Sequence, residues 1–317
     1  MCDYTVLETG IAKRNSRLTR VLNVTRPGPI KRSMGLRSAL WLMLAACTIG
    51  LAAFPVAARD LKFGFTPVLG ESKMQAEFEP LMTYLSDSIG QHVVVYIAKD
   101  YGDLRVRMEE GTVDIGSFSP FAYVDAAKSG KIRIIAQSLM YGSATYRGVI
   151  VARKDSGLKT IADLRGKRFA FVDPKSASGY VYVRAMLLDK GIAPESYFKQ
   201  TLFAGDHNKV IATVLDGRAD AGATYEGALN VAKDMGMPSD NLAILAGTEP
   251  IPHDAIAVRV QLTDALAKQI QSSLVNMDKT DAGRLVIAKN KKGLTGFVVG
   301  EDKTFDVVRR TAKAGGI

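Results

Sequence analysis

Short alternating or wholly apolar runs trade places along this chain with longer stretches whose apolar residues return every three or four positions. Leu61–Phe65 alternates and stops at Thr66-Pro67, which predicts a strand. Phe78, Leu81, Leu85 and Ile89 then fall on one face of a helix predicted over 72–88 and closed by Gly90. Residues 93–97, 113–118, 132–140 and 147–153 read as further strands, with helices predicted over 101–110 and 120–128. Strands alternating with helices predict an α/β architecture, each sheet mixed and flanked by helices.

The second half repeats the plan. Gly111-Thr112-Val113-Asp114-Ile115-Gly116 and Gly217-Arg218-Ala219-Asp220-Ala221-Gly222 share the phrase G-x-[VA]-D-x-G, each placed after a predicted helix and leading into a strand. Two lobes of similar design are implied. Gly148–Arg153 and Asp254–Arg259 are matched β-rich runs ending in Arg, and they are expected to be the two strands that cross between the lobes. The predicted division is 59–150 plus 255–317 for lobe 1 and 151–254 for lobe 2, with a small-molecule cleft between them. The tail is predicted helical over 263–276, 280–289 and 302–311.

The first candidate for chemistry lies in 168–191. Arg168–Val172 reads as a strand, Asp173-Pro174 as a turn and 180–190 as a helix closed by Gly191, with Lys175-Ser176-Ala177-Ser178-Gly179 between them. A Ser/Gly loop at a helix start gathers backbone N–H groups, hydroxyls and the positive helix end at one place, which suits an anion. The same residues also read as an ordinary serine cap.

Composition is that of a globular chain, with 47% apolar and 23% charged residues in 317. The formal charge of +10 changes meaning once it is located. Residues 1–58 hold eight Lys/Arg against Asp3 and Glu8, leaving 34 basic and 30 acidic side chains in the remainder. A nucleic-acid partner is therefore not expected. Lys31, Arg32 and Arg37 precede an apolar run over 39–53, and Val56-Ala57-Ala58 offers a cleavage site, so 1–58 reads as a leader with a secretory signal. The expected start is Met34, with 1–33 an upstream extension. Leu44-Ala45-Ala46-Cys47 has the form of a lipoprotein processing site, so contact with a membrane is expected only if Cys47 is lipidated or the leader stays uncleaved. Both cysteines, Cys2 and Cys47, lie in this leader, which removes disulfides and a Cys nucleophile from the mature chain.

Four phrases in order give a resemblance: Val113–Pro120, Asp173–Tyr180, Ala204–His207 and Ile251–Asp254. From about Leu61 to Thr311 the chain resembles the phosphonate-binding family of periplasmic ABC transporter substrate-binding proteins, which have a two-lobed type II solute-binding fold. The resemblance implies that Ser176, Ala177 and Ser178 hold phosphonate oxygens, Ala177 through its backbone N–H alone because it stands where a Thr is frequent. It also implies that Tyr101 and Tyr146, from the first lobe, reach the same oxygens. In members that take aminoalkylphosphonates a Glu, an Asp and a His hold the amine, and these match Glu226, Asp254 and His207. Two carboxylates facing one cleft repel each other unless a cation lies between them, and an ammonium brings three donors to such acceptors.

The implied function is capture of a phosphonate, 2-aminoethylphosphonate first, between lobes that close about a hinge, for delivery to a membrane permease. A phosphate, phosphite or other alkylphosphonate binder is the alternative, ahead of a receptor's sensing domain or a secreted phosphorus-ester hydrolase. His92, His207 and His253 lack ligand-like spacing, so no metal or other cofactor is expected. Ser178 lacks a nucleophile-elbow pattern, and no enzymatic activity is expected.

Overall fold

The computed structural model describes residues 59–67, 71–290 and 293–317. The expectations for the leader, its processing and the start site fall on 1–58 and lie outside the described residues. The strands are β1 (Leu61–Phe65), β2 (Val93–Ile97), β3 (Ile115–Phe118), β4 (Ile132–Met140), β5 (Thr145–Arg153), β6 (Arg168–Phe171), β7 (Gln200–Phe203), β8 (Ala221–Tyr225), β9 (Leu242–Pro252), β10 (Ala255–Arg259) and β11 (Leu294–Val299). The α-helices are α1 (Glu71–Ile89), α2 (Asp103–Glu109), α3 (Pro120–Ala127), α4 (Tyr182–Asp189), α5 (Pro194–Tyr197), α6 (His207–Leu215), α7 (Ala228–Asp234), α8 (Asp264–Val275), α9 (Asp281–Lys289) and α10 (Asp306–Ala314).

Two mixed sheets result, ordered β11-β4-β10-β3-β1-β2 and β7-β6-β8-β5-β9. Within them a shared unit stands out. In the first sheet β2, β1 and β3 are parallel and β10 closes antiparallel on β3; in the second β7, β6 and β8 are parallel and β5 closes antiparallel on β8. The closing strand of each unit comes from the far side of a change of sheet.

The repeated phrase builds equivalent corners of these units. Gly111 and Gly217 have φ of +74° and +70°, ending the preceding helix in the left-handed region. Asp114 exchanges backbone bonds with the start of β1, its N–H donating to Lys62 O at 3.0 Å while its carboxylate accepts from Lys62 N at 3.1 Å. Asp220 does the same with Arg168, at 2.9 and 2.8 Å. Each Asp also takes a guanidinium, Arg259 at 2.7 Å for Asp114 and Arg168 at 2.7 Å for Asp220.

The changes of sheet differ from expectation. β5 lies wholly in the second sheet, so the chain crosses at 141–144 and not along Gly148–Arg153, and 145–150 sit with the second sheet. The return crossing is at His253-Asp254, just before β10, where His253 N donates to Ala144 O at 2.9 Å. The pairing residues thus run to the ends of the strands, and each crossing is short. The C-terminal helix, expected with lobe 1, packs on both sides: α10 touches α3 and α4, and Arg184 Nε donates to Gly315 O at 2.7 Å.

Burial explains the helix faces. Met74, Leu81, Met82, Leu85 and Ile89 of α1 are buried against Phe63 and Phe65, with Phe78 stacked on Phe65. Val210, Ile211 and Val214 of α6 fill the space beside Gly222, where an added Cβ would stand 2.6 Å from Val210 Cγ1. Among the described residues no helix is long and apolar enough to cross a membrane.

Candidate functional site

A cleft of about 640 Å³ is lined from both sheets, and the anion loop stands at one side of it. β6 leaves its sheet at Val172, and Asp173 turns the chain, its backbone O accepting from Ser176 N at 2.9 Å and its Oδ1 from Lys175 N at 2.7 Å. Ser176 caps the turn after it, its Oγ accepting from Gly179 N at 3.1 Å. That turn is not α but π: Ala177–Val181 winds with five-residue spacing before α4 begins at Tyr182. The single helix predicted from 180 therefore starts earlier and wider. Gly179 permits it, because a Cβ there would lie 2.3 Å from Val172 Cγ2. The N–H groups of Ala177 and Ser178 stand ahead of the first intrahelical donor, at the positive end of the turn. Ala177's methyl is buried in the core, so this residue has only its N–H to offer.

Two tyrosines meet the loop. The Tyr101 hydroxyl lies against Ser176 and that of Tyr146 against Ser178. Tyr101 is 2% exposed, and its hydroxyl approaches Ser176 without closing a hydrogen bond, so a buried donor faces the loop with no partner. Burial raises both phenols, with the Asp254 carboxylate adding to it, which keeps them protonated as donors. Tyr146 does not come from the first lobe as expected; it is the second residue of β5, in the second sheet.

His207, Glu226 and Asp254 line the same cleft. His207 opens α6, whose N-cap Asp206 accepts from Lys209 N at 2.8 Å. Its ring is buried, with Nδ1 3.0 Å from Thr224 Oγ1, and burial lowers its pKa to about 4, so it is neutral at pH 7. Glu226, following β8, is exposed, and its Oε1 accepts from Arg147 N at 3.2 Å, sealing the end of the β5–β8 ladder. Asp254 differs from it. Its side chain is half-buried at the second crossing, and burial pushes its pKa up to about 7. An anion-averse position of this kind is relieved by a cation.

Further groups were not legible as site residues in the sequence. His253 stacks on Tyr146 with centroids 4.8 Å apart and 18° between planes, and Tyr225 stands perpendicular to Tyr146 at 6.3 Å. Ser117, Ser119 and Ser138 line the first-sheet side, Ser119 Oγ being buried without a partner. The signal for His253 was its place beside Asp254 in Ile251–Asp254, and that for Ser117 and Ser119 was Val113–Pro120. Lys175 is spent elsewhere, its Nζ 2.7 Å from Asp125 Oδ2 on α3. Among the described residues no group of three His, Cys, Asp or Glu side chains is arranged to hold a metal.

Comparison with known proteins gives the family and the fold. Residues 63–305 match the family described as ABC transporter, phosphonate, periplasmic substrate-binding protein. The chain is 31% identical over 170 residues to the phosphate-import protein PhnD of Mycolicibacterium smegmatis, an alignment covering 50% of this chain and about half (53%) of that relative. It is 24% identical over 237 residues to the phosphonates-binding periplasmic protein of Escherichia coli K12, covering 73% of this chain and 70% of that one. Its fold is similar to the binding protein of an ABC phosphonate transporter from Pseudomonas aeruginosa, with a TM-score of 0.75 at 20% identity over 81% of this chain and 86% of the other. It is also similar to PhnD1 from Prochlorococcus marinus in complex with methylphosphonate, at 0.72 and 22% over 80% and 97%. These neighbours share the two-lobed type II binding-protein fold. With the family match spanning most of the described residues, the chain belongs to the periplasmic substrate-binding proteins of phosphonate ABC transporters.

Proposed function

We propose that this protein captures an aminoalkylphosphonate, 2-aminoethylphosphonate being the reference compound, and presents it to a membrane permease. The observation that carries the choice is Asp254, a carboxylate held in surroundings that raise its pKa to about 7, in the same cleft as the Ser176–Ser178 loop. The loop's N–H groups, the Ser176 and Ser178 hydroxyls and the Tyr101 and Tyr146 phenols take the phosphonate oxygens. Neutral, preorganised donors do this without a cation that would be left unpaired in the empty cleft. The ammonium goes to Asp254, with Glu226 at the exposed side. His207 accepts at Nε2 when its Nδ1–H donates to Thr224, a tautomer open to it because the ring is neutral.

Closure turns on the short crossings at 141–144 and 253–254, with the contacts of α10 on both sides and the Lys175–Asp125 pair adjusting as the sheets rotate. No covalent step is involved in this reading. Export to the periplasm follows from the family and from the leader pattern in 1–58.

A phosphate or simple alkylphosphonate ligand is the competing reading, favoured by the name of the Mycolicibacterium relative and by the methylphosphonate in the Prochlorococcus structure. Calorimetric titration with 2-aminoethylphosphonate, methylphosphonate and phosphate decides between them. The amino compound is expected to bind at least about tenfold tighter than the other two, a difference of ~1.4 kcal/mol. Equal affinity for methylphosphonate or phosphate transfers the assignment to the competing ligand, and turnover of a phosphate ester removes a pure binding role.

A further inference from the structure

The region around Asp254 is walled by rings as well as by charge. His253 and Tyr146 stack at 4.8 Å and 18°, and Tyr225 stands at 84° to Tyr146, so the three rings form a corner. His207 packs edge-on against Tyr225 at 4.8 Å and 87°, which holds that ring in place. The Asp254 carboxylate acts electrostatically on the phenols of Tyr146 and Tyr225, so the corner and the negative charge share one space. All four rings line the cleft.

Asp254, Glu226 and His207 can accept from a primary ammonium there, and the rings beside them add a surface that does not depend on N–H donors. An ammonium brings three N–H donors, whereas a methylated one brings fewer and a trimethylated one none. What a trimethylammonium needs is a carboxylate nearby and ring faces for its diffuse charge and methyl surface. We propose that the cleft accepts N-methylated aminoalkylphosphonates, up to the trimethylammonio compound, with Tyr225 and His253 as the residues that set this breadth. The inference rests on the proposed amine site and extends it to a class of substrate.

The test is calorimetry on the exported chain with 2-aminoethylphosphonate, its N,N,N-trimethyl derivative and methylphosphonate, repeated on Tyr225→Leu and His253→Leu. The two variants remove one ring each, and His253→Leu keeps the backbone bond to Ala144. The trimethyl compound is expected to bind within about tenfold of the primary amine. Each variant is expected to weaken it by roughly 3- to 30-fold, with a smaller loss for the primary amine. The inference is overturned if the primary amine binds well but the trimethyl compound falls to the level of methylphosphonate, or if both amines lose equally in both variants. If the primary amine itself binds no better than methylphosphonate, the amine site falls and the inference goes with it. Ligand comparison on the unaltered protein remains decisive should either variant fold poorly.

Discussion

Lys175 reaches out of the anion loop to Asp125, Nζ to Oδ2 at 2.7 Å, joining a segment that follows β6 in the second sheet to helix α3, which packs on the first. The loop is thereby tethered across the cleft by a pair that does not touch the proposed phosphonate position. Arg105 and Lys128 also face Asp125, at 3.8 and 3.6 Å. Burial pushes the Asp125 carboxyl up, but Lys175 and these cations outweigh it and hold its pKa below the ordinary value.

Because the two side chains are 34% and 20% exposed, the tether contributes about 1 kcal/mol or less. Lys175→Ala is expected to lower Tm by about 2 °C at low salt and to weaken ligand binding less than about fivefold. At about 1 M salt the difference should vanish. Calorimetry and thermal melts at the two salt concentrations check this. A loss beyond about a hundredfold would mean that Lys175 contacts the ligand directly.

The π turn gives a steric prediction. A methyl at position 179 would fall 2.3 and 2.5 Å from Val172 Cγ2 and Cβ, and 2.9 Å from Ser176 Oγ. Gly179→Ala is expected to cost about 1–3 kcal/mol of stability and to push the loop out of register with Tyr101 and Tyr146. A melt that is unchanged, together with full affinity, would show that the loop does not need this close approach.

The paired corners should differ in cost although their bonds match. Asp114 is fully buried between Arg59 and Arg259, whereas the Asp220 side chain is 27% exposed. Asp114→Asn is expected to destabilise by about 1.5–3 kcal/mol, since it removes the fully buried carboxylate that accepts charged hydrogen bonds from Arg59 and the partly buried Arg259. Asp220→Asn should cost nearer ~1 kcal/mol. Urea unfolding of both variants measures the difference, and equal costs would contradict the burial argument.

Asp254 sets a pH dependence. Its pKa in the empty cleft is about 7. A bound ammonium favours the ionised form, so below this pH binding must first release the carboxyl proton. Affinity for 2-aminoethylphosphonate relative to methylphosphonate should therefore fall as pH drops below 7, approaching about tenfold per unit. Because the ammonium lowers the second phosphonate pKa of the amino compound relative to methylphosphonate, the ratio is corrected for each ligand's own ionisation before the Asp254 dependence is read. For stability the sign is the opposite of that for a paired carboxylate. The folded state keeps a proton that the unfolded chain loses above about pH 4, so Asp254 makes the empty protein less stable as pH rises from about 4 to 7. Asp254→Asn should flatten both profiles, as titration calorimetry and melts across this range would show.

Much of this arrangement was legible in the chain. β1, α1, β2 and β4 follow from alternation and from three- and four-residue spacing, and the phrases around Asp114 and Asp220 marked the shared unit that their hydrogen bonds build. β9 was not legible. It is the longest strand, Leu242–Pro252, but it lies at a sheet edge, contains Gly247 and Pro250, and alternates irregularly between buried and exposed. Sheet membership of β5 was also hidden, because Gly148–Arg153 has the same apolar pattern whichever sheet it joins. Seven of the eight proposed contact residues line one cleft, the eighth, Ala177, offering only its backbone. The ring corner escaped because Tyr146, Tyr225 and His253 are far apart in sequence and meet only when β8, β5 and β9 pair side by side in the second sheet.

The most direct test of the amine site is the response of 2-aminoethylphosphonate binding to removal of each carboxylate charge. Asp254, half-buried and with its pKa raised by burial alone, should matter far more than Glu226, which is exposed and already holds Arg147 N. Asp254→Asn is expected to weaken binding by about 30-fold or more, a loss of ~2 kcal/mol upward, and Glu226→Gln by only about two- to fivefold. Methylphosphonate affinity should be unchanged or improved in Asp254→Asn. Unchanged 2-aminoethylphosphonate affinity in Asp254→Asn, or an equal loss for both ligands, would contradict the assignment of this carboxylate to the ligand's cation.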